Sequence, residues 1–307
     1  MDPETPDLVV LAGPTAVGKT ALSLELAGRH EAEIVGADSV QVYRGLDIGS
    51  AKPTQAERAL APHHLIDVAD PVEGFSAARF AKLADRAIVD IAGRGHKALV
   101  VGGTGLYIKA LLWGLAPAPP KDQALRDELA ASWEERGAEA MHARLAELDP
   151  EAAARLHPND RQRVLRALEV CLQTGEPFSR RLEGHGFKEP RHAHLFIGLE
   201  RPREELNQRI EQRAEAMWSG GLLTEVEALL AAGVPPEAPG LGSLGYRQAV
   251  AVLRGEMQPD EALFDMIRTT KAYAKRQLTW FRSVKGLHWH HADDHAGVGR
   301  RVAGFWS

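Results

Sequence analysis

Residues 13–20 read Gly13, Pro14, Thr15, Ala16, Val17, Gly18, Lys19, Thr20, directly after the apolar run Leu8–Ala12 and directly before the helix-like stretch Ala21–Ala27. This is G-x-x-x-x-G-K-[ST] in a strand, loop, helix setting, and no other feature of the chain constrains its fold as strongly. Backbone N–H groups and a helix N-terminus converge there on a phosphate chain. Gly13 and Gly18 let the backbone bend around the phosphates, Lys19 supplies a point charge, and Thr20 offers a hydroxyl to Mg²⁺. By itself the motif implies a bound di- or triphosphate and no more.

The 307 residues, 44% of them hydrophobic, are enough for one large or two modest domains with a real core. Met1–Pro6 is acidic and proline-interrupted, and the apolar run after it is only strand length, so neither a signal peptide nor a membrane span is expected. Cys171, the single cysteine, sits among apolar helical neighbours and reads as a core residue. A cytoplasmic address without membrane contact follows. The net charge of −5 argues against a protein that coats nucleic acid indiscriminately. Basic residues are nevertheless clustered: Arg161, Arg163 and Arg166; Arg180 and Arg181; then Arg268, Lys271, Lys275, Arg276, Arg282 and Lys285 with no acid among them. Any one cluster is a solvated helix face, but together they suggest a local RNA or phosphate surface.

Residues 8–115 alternate strand and helix. Candidate strands are Val9–Ala12, Glu33–Ala37, His64–Val68 and Ala98–Gly102, with a helix over Ala77–Ala92 in which Phe80, Leu83, Ala84, Ala87, Ile88 and Ile91 keep helical spacing. This predicts an α/β fold, a P-loop NTPase-like parallel sheet core flanked by helices, with ligands at the carboxyl ends of the strands. Asp38-Ser39, Asp67 and Gly102-Gly103-Thr104-Gly105 all fall at such ends. Pro117-Ala118-Pro119-Pro120 then breaks the pattern, and 122–189 reads as an inserted all-helical domain. Its faces are Leu125, Leu129 and Trp133; Met141, Leu145 and Leu148; and Val164, Leu168 and Cys171, with Asp160 as an N-cap and Gly184-His185-Gly186 and Pro190 at the exit. Strand character returns at His194–Leu199, so the core domain is discontinuous, 1–121 with 190–307. Helices follow near Arg203–Ser219, Leu222–Ala232 and Pro259–Phe281. In the last, Leu263, Ile267, Thr270, Ala274, Leu278 and Phe281 form one stripe beside the basic face. The final twenty residues, rich in His and Gly, read as poorly ordered.

The core lacks an apolar run ending in the Asp-Glu of a hydrolytic Walker B, and lacks an arginine-rich lid. Asp38 instead opens Asp38-Ser39-Val40-Gln41-Val42-Tyr43, a stretch suited to placing a carboxylate beside a base, although Asp38 could also cap the next turn. Further segments are Asp-Ile-Gly-Ser-Ala-Lys-Pro at 47–53, His-His-Leu-Ile-Asp at 63–67, Gly-Gly-Thr-Gly-Leu-Tyr at 102–107, and Asn-Asp-Arg-Gln-Arg-Val-Leu-Arg-Ala-Leu-Glu at 159–169. Leu-Gly-Tyr-Arg-Gln at 244–248 and Lys-Arg-Gln-Leu-Thr-Trp-Phe-Arg at 275–282 complete the series. In this order, across nearly the whole chain, they resemble the tRNA dimethylallyltransferase (IPP transferase) family, in its compact bacterial form. Ser50, where the family often has threonine, and Ser243 are small departures.

The resemblance implies transfer of a dimethylallyl group from dimethylallyl diphosphate to N6 of adenosine 37 in tRNA, by a monomer that uses Mg²⁺ at Thr20. Gly13–Thr20 would hold the donor diphosphate, with an added cation from the Arg-Ile-x-x-Arg stretch, Arg213 or its i−4 neighbour Arg209; surface salt bridges with Glu205 are the other reading of that pair. Asp38 would be the general base, and Thr104 would orient it or bind the adenosine. The tRNA contacts carried over are Asp38, Ser39, Val40, Gln41 and Thr104; Arg126, Gln162, Arg163, Val164, Leu165 and Arg166 in the insertion; and Gly245, Tyr246, Arg247, Gln248, Lys275, Arg276, Gln277 and Arg282. His63 and His64 lack an acid at ligand spacing and read as strand-entry residues rather than a metal site. Rival readings are an isopentenyltransferase acting on free adenine nucleotides, a small-molecule P-loop kinase, and a nucleotide-sensing RNA-binding switch.

Overall fold

The computed structural model describes residues 7–116, 119–120, 122–185 and 189–307. Met1–Pro6, Pro117 and Ala118 of the proline break, the boundary at Lys121, and Gly186 of the exit hinge lie outside the described residues. In chain order the elements are β1 (Leu8–Ala12), α1 (Lys19–His30), β2 (Ala32–Ala37), α2 (Gln55–Leu60), β3 (His63–His64), α3 (Ala77–Gly93), β4 (Lys97–Gly102) and α4 (Gly105–Trp113). Then come α5 (Gln123–Leu148), α6 (Pro150–Arg155), α7 (Arg161–Thr174), α8 (Phe178–His185), β5 (His194–Glu200), α9 (Arg203–Ser219), α10 (Leu222–Ala231), α11 (Tyr246–Leu253), α12 (Pro259–Arg282), β6 (His288–His291) and α13 (His295–Trp306). They form two compact units, Met1–Trp113 with Pro190–Ser307, and Gly114–Glu189. No helix among the described residues is long and apolar enough to cross a membrane.

The first unit is built on a six-stranded sheet of order β3-β2-β4-β1-β5-β6, parallel throughout the described pairings. Strand β1 is buried along its whole length, as a central parallel strand covered on both faces must be. Its neighbours β4 and β5 pair with it in the same register, Ala12 lying opposite both Gly102 and Gly198. The strands β2, β4 and β1 therefore end side by side, and the loops that leave them share one end of the sheet. Around β1 and β5, the residues Leu22, Leu26, Ile210, Val298 and Val302 from α1, α9 and α13 close one core cluster. A second gathers Val42, Leu46, Leu222, Val226, Tyr246 and Ala249.

The second unit packs α5 and α7 around Leu129, Met141, Leu145, Val164 and Leu168. Its helix α5 is broken at Gly137, where φ is +81°, a value that glycine tolerates at little steric cost. Asp160 caps α7 by accepting from the Arg163 N–H, as expected of its position. Leu148 is 38% exposed and so leaves the apolar face on which periodicity placed it.

Two stretches differ from the sequence reading. The strand expected over 64–68 stops at His64, because Leu65 and Asp67 adopt φ of +63° and +57°. The chain then turns away from β2 and bonds the 41–44 segment, Val68 N–H reaching Val42 O at 2.8 Å. The C-terminal residues expected to be poorly ordered are instead β6, paired to β5, and α13, capped by Asp294 and anchored by Val298 and Val302. On α12 the buried positions are Ala262, Met266, Ala274, Gln277 and Phe281. The inward face thus includes a polar side chain, Gln277, that a purely apolar stripe omits.

Candidate active site

The loops after β1, β2 and β4 open into a cleft of about 840 Å³, walled on its far side by α9 and α12. Helix α1 begins at Gly18, where φ is +115° and no side chain caps the helix. Its first amides stay available to an anion, which is the arrangement that suits a phosphate chain. Lys19 Nζ donates to the carbonyls of Gly13 and Pro14 at 3.0 and 2.8 Å. Burial holds its ammonium well below the usual lysine value, at about 8, while the Asp38 carboxylate raises it and Arg213 lowers it further. Thr20 lines the same cleft.

From α9, Arg209 Nε donates to Ala16 O at 2.9 Å and Arg213 Nη1 to Thr15 Oγ1 at 3.4 Å. Both guanidiniums are turned onto the phosphate loop. Glu205, offered by the sequence as their surface partner, pairs instead with Arg201. Burial works against the Arg213 charge, and the nearby Asp38 carboxylate supports it. Arg201 braces the loop from behind: Nε donates to Val17 O at 2.9 Å, and the guanidinium also pairs with Asp293.

The second half of the cleft is built on the turn after β2. Asp38 Oδ1 accepts from the N–H groups of Val40 and Gln41 at 2.8 and 3.3 Å. The capping role weighed for Asp38 is therefore real, yet it occupies only Oδ1. Thr104 Oγ1 accepts from the Ser39 N–H at 3.1 Å, which ties the loop after β4 to the residue beside Asp38. Gln41 Nε2 donates to Ser50 O and Ala51 O at 3.2 and 3.1 Å, fixing the 47–53 segment as a wall. That wall rests on Lys52, a buried ammonium shared by Tyr43 O, Asp47 and Asp67.

Several residues expected to touch RNA are placed elsewhere. Tyr246 is fully buried and donates its hydroxyl to Glu225 Oε1 at 2.7 Å. Glu225 in turn accepts from the Asp47 and Ile48 N–H groups at 3.1 and 2.8 Å. Burial is the first cause that pushes the Tyr246 phenol far above its ordinary value. Gln248 bonds Gly245 N–H and Asp265 and is also buried. Gly245, Val164 and Gln277 are buried as well. These side chains are engaged within the fold, although Gln277 also lines the cleft. In the second unit Arg126 and Arg166 both close on the buried Glu169 at 2.9 and 2.7 Å, which removes them from the free cationic surface. Leu165 is half-buried, whereas Gln162 and Arg163 are exposed. On α12, Arg282 pairs with Glu200 at 3.3 Å. Arg247, Lys275 and Arg276 are exposed, and Arg247 and Arg276 line the cleft.

Tyr273 is a cleft residue that sequence reasoning missed. Burial first, then the Asp38 carboxylate, push its phenol up to about 12, while contacts to the Thr104 and Gln277 side chains act the other way. Its signal was present: Tyr273 lies one turn before Gln277 on α12, so both look the same way. His63 and His64 have local partners, Ala61 O at 2.8 Å and Glu33 Oε2 at 2.6 Å. Among the described residues no group of three His, Cys, Asp or Glu could cage a metal. The Thr20 hydroxyl beside an uncapped helix start does fit Mg²⁺, which keeps several waters and binds through phosphate oxygens and one or two protein oxygens.

A parallel sheet with a glycine-rich loop after its central strand and a carboxylate turn lining the same cleft is the α/β architecture of a phosphate-binding enzyme core. A family model described as IPP transferase matches residues 41–284. A tRNA dimethylallyltransferase of Geobacter metallireducens is 50% identical over 282 residues, covering 92% of this chain and 91% of that one. Another, from an Anaeromyxobacter species, is 50% identical over 285 residues, covering 92% and 93%. The crystal structure of a tRNA isopentenylpyrophosphate transferase from Bacillus halodurans is 38% identical, covers 98% and 96% of the two chains, and superposes with a TM-score of 0.72. A eukaryotic dimethylallyltransferase acting on tRNA, 28% identical and covering 98% of this chain and 77% of that one, gives 0.80. The chain belongs to the IPP transferase family.

Proposed function

We propose that this chain transfers a dimethylallyl group from dimethylallyl diphosphate to N6 of an adenosine in tRNA, at position 37 beside the anticodon, and releases diphosphate. The observation that carries this reading is the meeting of two half-sites in one cleft: Lys19, Thr20 and Arg213 on the phosphate loop side, and Asp38 on the other, with Thr104 bonded to the neighbouring Ser39 amide. As the allylic C–O bond breaks, negative charge builds on the diphosphate and positive charge on the five-carbon unit. Lys19, the loop amides and Arg213 are preorganised donors for that negative charge. Mg²⁺, held at Thr20, would neutralise further phosphate charge when bound.

Adenine N6 is a weak nucleophile because its lone pair is delocalised into the ring. Its nitrogen forms the new C–N bond, and the proton it must lose passes to the Asp38 carboxylate. Thr104, through the Ser39 amide, holds the turn that aims this carboxylate. Reaching the base requires taking it out of the anticodon-loop stack. The exposed Arg163 and Gln162 of the helical unit, and Arg247, Lys275 and Arg276, are suited to the RNA phosphates. We read the enzyme as a cytoplasmic monomer. The deciding experiment is mass analysis of nucleosides from tRNA incubated with the protein, Mg²⁺ and dimethylallyl diphosphate. N6-dimethylallyladenosine is expected; transfer to free adenine nucleotide in preference to tRNA, or phosphoryl transfer from ATP, would overturn the reading.

A further inference from the structure

One side-chain amide joins the two halves of the cleft. Gln277, only 7% exposed, accepts from the Thr15 N–H at 2.9 Å through Oε1 and donates to Gly103 O at 2.9 Å through Nε2. Thr15 belongs to the phosphate loop, and its hydroxyl accepts from Arg213. Gly103 precedes Thr104, whose hydroxyl accepts from the amide next to Asp38. An unbroken path thus runs from the cation on the donor side to the carboxylate on the acceptor side, through Gln277.

The placement has a physical logic. Strands β1 and β4 are hydrogen-bonded neighbours up to Ala12 and Gly102, and beyond that rung their loops have to part around the substrates. A primary amide carries an acceptor oxygen beside an N–H donor, as a peptide pair does, with a second N–H to spare. Gln277 therefore supplies a further rung, taking an N–H from the loop after β1 and giving one to a carbonyl of the loop after β4. The fit is close: a Cβ built on Gly103 would lie 2.3 Å from Gln277 Nε2.

We propose that Gln277 is a positioning residue that fixes the separation between the departing diphosphate and the Asp38 carboxylate, and so governs the rate of transfer. This rests on the transferase reading above. Reactions between held groups are steep in geometry, and misplacement by about 1 Å can cost roughly 10²-fold in rate. A chain link between the two half-sites acts on that distance and on neither substrate's affinity.

The test uses two variants of the full chain, single-turnover rates at saturating tRNA and donor, both dissociation constants, and melting temperatures. Gln277→Met keeps the length and loses both hydrogen bonds. Its rate should fall roughly 10- to 100-fold, with both dissociation constants within about threefold of normal. Gln277→Glu presents a carboxylate to the Gly103 carbonyl and should be slow near neutral pH. When protonated it regains one donor and one acceptor, so its rate relative to wild type should climb as pH falls, while the ratio for Gln277→Met stays flat. A weaker tRNA affinity with a normal saturating rate would make Gln277 an RNA contact and overturn the proposal. So would a lower melting temperature with a normal rate in the folded fraction, or a pH-independent Gln277→Glu ratio. Absence of prenylated adenosine with the wild-type protein would sink the transferase reading itself, before any variant is compared.

Discussion

In the proposed reaction Asp38 has two loads on one carboxylate: Oδ1 holds the turn through the Val40 and Gln41 amides, and Oδ2 is left to take the proton from the adenine. The two are separable by Asp38→Asn. The amide oxygen can still accept from both N–H groups, so the turn survives and tRNA and donor should bind within a few-fold of normal. What is lost is the capacity to take a proton, and the single-turnover rate should fall by roughly 10²–10⁴. A near-normal rate combined with a lower melting temperature would leave Asp38 only its structural load. The phosphate loop should respond in the opposite sense. Lys19→Ala and Thr20→Ala remove a charge and a hydroxyl on the proposed donor side, so inhibition by inorganic diphosphate should weaken for the first and the Mg²⁺ concentration needed for half-maximal rate should rise for the second, while tRNA affinity stays close to wild type. Unchanged single-turnover rates for Thr20→Ala at low Mg²⁺ would remove the metal from that hydroxyl.

At the scale of elements, strand β2 leads into the Asp38 turn at its carboxyl end and carries a clamp at its start. Glu33, 4% exposed at its side chain, meets Arg94 at 2.7 Å, His64 at 2.6 Å and His96 at 2.8 Å. The Arg94 hydrogen bonds lead in lowering its carboxyl to about 2, against the opposing effect of burial and with both histidines assisting. A carboxyl lowered on folding stabilises the native state fully above its unfolded pKa, near 4.5, and loses that contribution as pH falls toward about 2. The contribution is on the order of 3 kcal/mol. Melting temperature should therefore drop across this acid window, and Glu33→Gln should be less stable at neutral pH and flatter below pH 4.5; an unchanged acid limb would remove Glu33 from the clamp. Nothing in the sequence announced this cluster, because its members lie at 33, 64, 94 and 96 and meet only through sheet pairing. The phosphate loop and Asp38 were legible, since strand, loop and helix are local patterns. The burial of Tyr246 was not legible, for the same reason in reverse. Its neighbours 244–248 look like a surface turn, and only the packing of α10 against α11 shows that Glu225 takes the hydroxyl. The strand at 288–291 was missed because His288, Trp289, His290 and His291 carry no alternating pattern; β5 supplies their reason to extend.

For the whole molecule, a net charge of −5 means that tRNA is repelled at long range and must be held by local cations. Which cations are available depends on ion pairing, which sequence clusters conceal. Arg282 faces Glu200 and Arg161 faces Glu134 at 3.3 and 2.9 Å, so an RNA phosphate approaching either meets a pair of zero net charge. Lys275 is exposed and carries no ion pair among the described residues. Arg163 is 73% exposed and only 3.5 Å from its own helix cap, Asp160, a surface arrangement that holds a guanidinium weakly. Binding that releases counterions from phosphates gives a slope of log affinity against log salt, and the slope should shrink by about 0.7 to 0.9 for every phosphate that the protein ceases to neutralise. Lys275→Gln and Arg163→Gln should each lower the slope by about that amount and raise the tRNA dissociation constant, with the single-turnover rate at saturating tRNA unchanged. Arg282→Gln and Arg161→Gln should move the slope much less, because each removes a charge already matched by a neighbouring acid. The measurement is a salt titration of tRNA binding for the four single variants. Equal slopes for all four would mean that the ion pairs open freely to RNA and that pairing in the unbound protein does not select the contacts. A reduced slope confined to the paired residues would place the RNA on the opposite set of cations from the one argued here.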